Sequence, residues 1–302
     1  MKYASIDIGT NTVLLLIAES KKSSGINDIL DISTITRLGQ GLKKTGHLSQ
    51  EAMDRTLSAL KAYIDIIHEQ GVGQVFCVGT SALREAENST EFLKKIHDSL
   101  GLDVRVISER DEAYYTYLSV IRDNSIHVDR CIITDIGGGS TEVIKGDKER
   151  FIDFVSLPVG SVKLTDMFIK NDPPLEKEME KTIEYIKAIL KIPFDGHGCS
   201  FIGTGGTITN IAAIMAGMEK YKKERIHGAR ITIKDMEGLI KRFVGLKISQ
   251  RSNIAGLEKG REDTILQGMV LLYEIMSYFD FKDVMVSAHG VRYGVLMGHD
   301  LC

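Results

Sequence analysis

The stretch that most limits how this chain can fold is one that it contains twice. From Ser5 to Ile17 it reads SIDIGTNTVLLLI, and from Ile132 to Ile144 it reads IITDIGGGSTEVI. Each copy is an apolar run that ends at an aspartate, Asp7 or Asp135, and bends through glycine. Each then shows small polar side chains and turns apolar again. β-Branched and apolar runs on both sides of a glycine bend are the signature of strand, turn and strand. Building the same acidic turn twice predicts two α/β halves related by internal duplication.

The rest of the chain supplies the material for both halves. Ile- and Val-rich runs predict strands near 3–8, 12–18, 75–79, 103–107, 130–135, 141–145, 150–156, 200–203 and 283–287. Met53, Leu57, Leu60, Ile64 and Ile67 step by four and three, as do Leu175, Met179, Ile183, Ile186 and Leu190, and Ile265, Met269, Leu272, Met276 and Phe279. That spacing puts each set on one face of a helix. Strands followed by helices predict α/β architecture, and 302 residues are enough for two cores. The polar stretch RDNSIHVDR, 122–130, precedes the second series, so the domains are expected at 1–124 and 125–302, with the last helix free to pack back on the first domain.

Glycine at a strand bend lets several backbone N–H groups point into one concavity, which binds anions and phosphate above all. In the first turn Gly9 is followed by Thr10, Asn11 and Thr12; in the second, Gly137, Gly138 and Gly139 are followed by Ser140 and Thr141. A third cluster, FIGTGGTITNI, sets Gly205, Gly206 and Thr207 where a strand leads into a helix, a layout suited to phosphate at a helix N-terminus. A fourth turn, VGTSALREAENS, offers Thr80, Ser81 and the guanidinium of Arg84. Asp7, Asp135 and Glu142 would repel phosphate unaided, and a divalent cation, Mg²⁺ or Mn²⁺, resolves that conflict. The bland alternative is that these segments are tight hairpins and no more.

In VRVISERDEAYYTYLSV the acids Glu109, Asp111 and Glu112 fall where a strand runs into a helix. Their charge suits a helix N-terminus, and a carboxylate there could also serve as general base. GLKKTGH, 41–47, has the glycine spacing of a Walker loop, but His47 stands where Lys is needed. No strand leads into GxGxxG, so a dinucleotide fold is unsupported.

A net charge of −3 makes any polyanion site a local patch; Lys43–Lys44 and residues 220–230 are the obvious candidates beyond the glycine turns. The N-terminus has no signal-peptide layout and the run Val13–Ala18 is too short to span a bilayer. Cys77, Cys131, Cys199 and Cys302 are scattered without CxxC, which predicts reduced thiols in a cytoplasmic protein.

Taken together, DIGTNT, RLGQGL (37–42), GTSALREAEN, ISERDEA, DIGGGSTE, GTGGT, IHG (226–228) and GREDTILQG (260–268) resemble the exopolyphosphatase and guanosine pentaphosphate phosphohydrolase family, within the actin and sugar-kinase superfamily, in a short two-domain form. The resemblance implies two ribonuclease-H-like domains with the active site in the cleft between them. It implies Glu112 as the base that activates water, Asp135 and Glu142 as acids organising metal and water, and Arg84 as a phosphate contact. The implied substrate is polyphosphate or guanosine pentaphosphate, with no nucleic acid or membrane partner, and a homodimer is compatible with it. Two positions depart from the family pattern: Glu109 stands in place of glycine, and Tyr293 in place of an acid. A phosphotransferase of the same superfamily and a non-catalytic polyphosphate or alarmone sensor remain as alternatives.

Overall fold

A computed structural model describes residues 1–21 and 25–299. The chain divides into two units. Residues 1–127, joined by the chain from His289 onward, make the first, and residues 128–288 make the second.

The first unit opens with β1 (Lys2–Ile8), β2 (Thr12–Lys21) and β3 (Gly25–Ile35), followed by the one-turn helix α1 (Leu42–Thr45) and the long α2 (Gln50–Glu69). Then come β4 (Gln74–Gly79), α3 (Ser81–Glu85), α4 (Ser89–Leu100), β5 (Arg105–Val106) and α5 (Glu109–Ile121). The sheet order is β3-β2-β1-β4-β5. β1, β2 and β3 form an antiparallel meander, and β4 and β5 add in parallel. Val13, Leu15 and Ile17 of β2 turn inward against Leu60, Tyr63 and Ile67 of α2.

The second unit repeats this with β6 (Arg130–Ile136), β7 (Thr141–Asp147), β8 (Phe151–Leu157), α6 (Ser161–Phe168) and α7 (Glu176–Ile189). It continues through β9 (Ser200–Thr204), α8 (Gly205–Met215), α9 (Lys223–Ile226), β10 (Arg230–Thr232), α10 (Ile233–Val244), α11 (Ile248–Arg251), α12 (Ile265–Phe279) and β11 (Asp283–Val286). Read from β8, its sheet runs β8-β7-β6-β9-β11-β10. That is the order of the first sheet with one edge strand added, so the duplication read from the turns extends to the strand pairing.

The last helix, α13 (Val291–Gly298), belongs to the first unit. A Cβ on Gly294 would overlap the backbone of Tyr115, so only glycine lets α13 lie directly on α5. Tyr293, fully buried, donates its hydroxyl to Asp28 of β3 at 2.6 Å, and Arg292 forks onto Asp31 at 2.9 and 2.8 Å. Position 293 therefore fastens α13 to the edge of the first sheet.

Cys77 and Cys131 are buried free thiols and Cys199 is half-buried, while Cys302 lies outside the described residues. Burial pushes the Cys131 thiol up to about 12, which keeps it protonated and inert. Among the described residues no helix is long and apolar enough to cross a membrane.

Candidate functional site

Both glycine turns are hairpins of the same length. Gly9 N–H donates to Thr12 O at 3.0 Å, and Gly137 N–H donates to Ser140 O at 3.1 Å. Pairing continues outward as Ile8 with Val13 and Asp7 with Leu14, and as Ile136 with Thr141 and Asp135 with Glu142. Thr10 thus matches Gly138, Asn11 matches Gly139, and Leu14 matches Glu142.

The turn carbonyls are held from behind in each unit. Thr10 O accepts from Gly39 N–H at 2.8 Å, and Asn11 O accepts from the N–H groups of Thr36 and Arg37 at 3.0 and 2.9 Å. In the second unit Gly137 O accepts from Ser161 at 3.0 Å, and Gly138 O from Val162 and Lys163 at 3.0 and 3.1 Å. The amide groups of Thr10, Asn11, Gly138 and Gly139 meet no acceptor among the described residues. Carbonyls fixed on one side and N–H groups open on the other are what an anion nest requires.

Asn11 adds a second feature suited to a ligand. Its side chain is only 5% exposed, yet neither amide atom has a hydrogen-bond partner among the described residues. An unsatisfied buried amide costs about 1–3 kcal/mol, a cost relieved when a ligand offers an acceptor and a donor. The turn hydroxyls divide differently from the sequence expectation. Thr141 donates to Val159 O at 2.7 Å and Ser81 to Glu85 at 2.6 Å, so both protons already have acceptors.

Thr80 N–H bonds Ile8 O at 3.2 Å, which brings the start of α3 beside the first turn. One turn into α3, Arg84 Nη1 donates to the Ile107 carbonyl at 3.0 Å and to Glu112 Oε2 at 2.6 Å. Its other guanidinium N–H groups donate to nothing among the described residues. Ser108 caps α5, its hydroxyl accepting from Asp111 N–H at 3.1 Å. Of the three acids in that first turn only Glu112 is buried; Glu109, the departure from the family pattern, is exposed.

In the second unit Asp135 and Glu142 are direct cross-strand partners, so their carboxylates leave the same face of the sheet. Glu142 is 1% exposed and accepts from Ser156 Oγ at 2.9 Å. Two adjacent carboxylates are a hard oxygen donor set that suits Mg²⁺ or Mn²⁺. Asp7, by contrast, faces Leu14. The third turn abuts this pair: Gly205 sits at φ +89, and a Cβ there would strike Asp135 Oδ1. Gly206 and Thr207 follow at the N-terminus of α8, where Thr204 supplies no side-chain cap.

The sequence reading did not single out Arg261. Its guanidinium packs on Gly206, leaving no room for a Cβ there. Glu258 grips it at 2.6 Å, and Asn210 fixes Glu258 by accepting its N–H at 2.8 Å. GREDTILQG was visible as a landmark, but nothing in the sequence placed it on the third turn. Lys163, 8% exposed behind the second turn, was missed for the same reason.

The sequence profile of the Ppx/GppA phosphatase family matches residues 16–301. A bifunctional 3-dehydroquinate synthase/phosphatase of Fusobacterium nucleatum is 33% identical over 97% of this chain, which spans about half (46%) of that longer protein. Exopolyphosphatase 2 of Mycobacterium tuberculosis is 28% identical, covering 98% of each chain. Among solved structures, the Aquifex aeolicus Ppx/GppA family member superposes with a TM-score of 0.82 at 34% identity, over 100% of this chain and 98% of that one. A Cytophaga hutchinsonii exopolyphosphatase superposes with a TM-score of 0.89 at 27% identity, over 99% and 97%.

Proposed function

The chain belongs to the Ppx/GppA phosphatase family, and on that premise we propose that it releases terminal phosphate from inorganic polyphosphate or guanosine pentaphosphate by attack of water, assisted by a divalent cation. The observation that carries this reading is the double use of Arg84. One nitrogen holds the Glu112 carboxylate at 2.6 Å, while the remaining donors are open to a phosphoryl oxygen. A guanidinium shared in this way sets base and phosphate in fixed relation.

Glu112 takes a proton from water as its oxygen bonds the terminal phosphorus, and the bond from that phosphorus to the bridging oxygen breaks toward the shortened chain. Arg84 and the open amides of the glycine turn meet the charge on the phosphoryl oxygens, a positioning and electrostatic role. Asp135 and Glu142 would hold the cation, which neutralises phosphate charge when bound. Exposed Glu109 and core-packed Tyr293 lie outside these roles, so the departures from the family pattern leave the chemistry intact.

Glu112→Gln tests the assignment, because it keeps shape and hydrogen bonding but removes basicity. Phosphate release from tripolyphosphate should fall at least about a hundredfold, with calorimetric binding of tripolyphosphate retained. Turnover within about threefold of the parent protein would remove Glu112 from the mechanism.

A further inference from the structure

The two basic runs singled out in the sequence, Lys43–Lys44 and residues 220–230, are placed differently by the fold. α8 carries the chain about 16 Å from the sheet end that bears the glycine turns. Residues 216–228 then climb back, and Gly228 N–H reaches Val286 O at 2.8 Å. Only the last part of the 220–230 run therefore approaches that end. Glu219 precedes the run, Glu224 interrupts it, and Arg230 is paired with Asp283.

Lys43 and Lys44 are placed differently. They form the middle of α1, bracketed by Gly41 and Gly46, both left-handed at φ 74 and 73. The loop that carries α1 is bonded to the first glycine turn through Gly39 N–H and Thr10 O. Buried Leu38, Leu42 and Leu48 anchor it. Its far end is pinned too: Gly46 O accepts from Glu87 N–H at 3.0 Å, and Asn88 bonds both backbone groups of Leu48 at 2.9 and 3.0 Å. On this fixed support both lysines are exposed, and neither has an ion-pair partner among the described residues. The nearby acid Glu87 is turned to His47, at 3.6 Å.

We propose that Lys43 and Lys44 form a subsite for the phosphates of the substrate that lie beyond the reacting group. This rests on the reading above that the first glycine turn holds phosphate. Arginine forks demand a set geometry, whereas an ammonium is a point charge on a flexible stem, suited to successive units of a flexible polyanion. Both lysines are exposed, so their contribution is screened by salt over about 10 Å. Polyphosphate and guanosine pentaphosphate share the chemistry of linked phosphates, and the experiment separates them.

The test is the Lys43→Glu/Lys44→Glu protein, with Lys43→Ala/Lys44→Ala as a milder partner. Phosphate release is measured from tripolyphosphate, long polyphosphate and guanosine pentaphosphate at several salt concentrations. The expected result is a KM for long chains raised about tenfold, with kcat within about twofold and a flatter salt dependence, since neutralised phosphate contacts set that slope. The KM for tripolyphosphate should move much less. Guanosine pentaphosphate following the long chain would show that the subsite reads any distal phosphate; a shift confined to long chains would limit it to the inorganic polymer. An equal KM shift for every substrate, or none, would overturn the proposal. If the parent protein releases phosphate from none of them, the assigned reaction fails, and calorimetric binding of long polyphosphate decides the subsite alone. Equal binding by parent and double variant would then overturn it.

Discussion

Both glycine turns are held by backbone hydrogen bonds and share one hairpin register, but the glycine behind the first is crowded by a side chain and the glycine behind the second by backbone. Behind the first, a Cβ on Gly39 would meet the side chain of Thr10; behind the second, a Cβ on Gly160 would meet Gly137 O at 2.5 Å and Gly138 C at 2.6 Å. The turns also present different chemistry. Thr10 and Asn11 give the first one neutral donors. The second replaces them with Gly138 and Gly139 and sets Glu142 opposite Asp135, where the first sets Leu14 opposite Asp7. On the proposed reading, duplication kept the hairpin while the residues around it diverged, toward gripping phosphate in one unit and holding a cation in the other.

The supports can be broken separately. Gly160→Ala should cost about 3 kcal/mol, at the upper end of overpacking penalties, because backbone cannot rotate away. Gly39→Ala should cost about 1 kcal/mol, since the Thr10 side chain can change rotamer. Chemical denaturation reads both. A Gly39 variant at least as destabilised as the Gly160 variant would end the distinction between the two supports.

The division of chemistry predicts an unequal response to loss of charge. Glu142→Gln or Asp135→Asn should raise the Mg²⁺ concentration for half-maximal phosphate release about tenfold or more, the scale expected when a metal site loses a ligand or its support. Asp7→Asn should raise it less, because no second acid stands opposite it. A titration in which all three variants shift alike would place the cation equally on both turns.

Much of this was legible in the sequence because the fold-defining signal was local. Each DIG turn, the stepped apolar faces of α2, α7 and α12, and the acids of the first turn of α5 are written in nearby residues. A third strand was expected after each DIG turn, but β3 could not be located because GINDILDISTI mixes Asp28 and Asp31 into an edge strand; these acids make sense only beside Tyr293 and Arg292, more than 250 residues away. β10 is three residues long, too short to carry a period. Arg84 was read as a phosphate contact, and its bond to Glu112 was not read, because the two meet only once α3 and α5 pack together. Arg261 was hidden in the same way: a cation on a loop acquires meaning from the glycine beneath it.

The smallest effect sharpens the comparison most directly. Leu14→Glu would give the first turn the cross-strand acid pair of the second, on the same hairpin register. Directly opposed like charges destabilise a pair of strands by roughly 0.2–1 kcal/mol, so without divalent cation the variant should melt a few degrees lower. A cation binding the folded pair but not the unfolded chain restores stability by mass action. Added Mg²⁺ should therefore raise the melting temperature of Leu14→Glu by more than it raises that of the parent protein. Leu14→Gln, similar in shape but uncharged, should respond as the parent does. Equal Mg²⁺ responses for the glutamate and glutamine variants would mean that a facing acid pair is not enough to hold the ion. The difference between the turns would then rest on the Ser156 hydroxyl that orients Glu142 and on Gly205, which admits the Asp135 carboxylate.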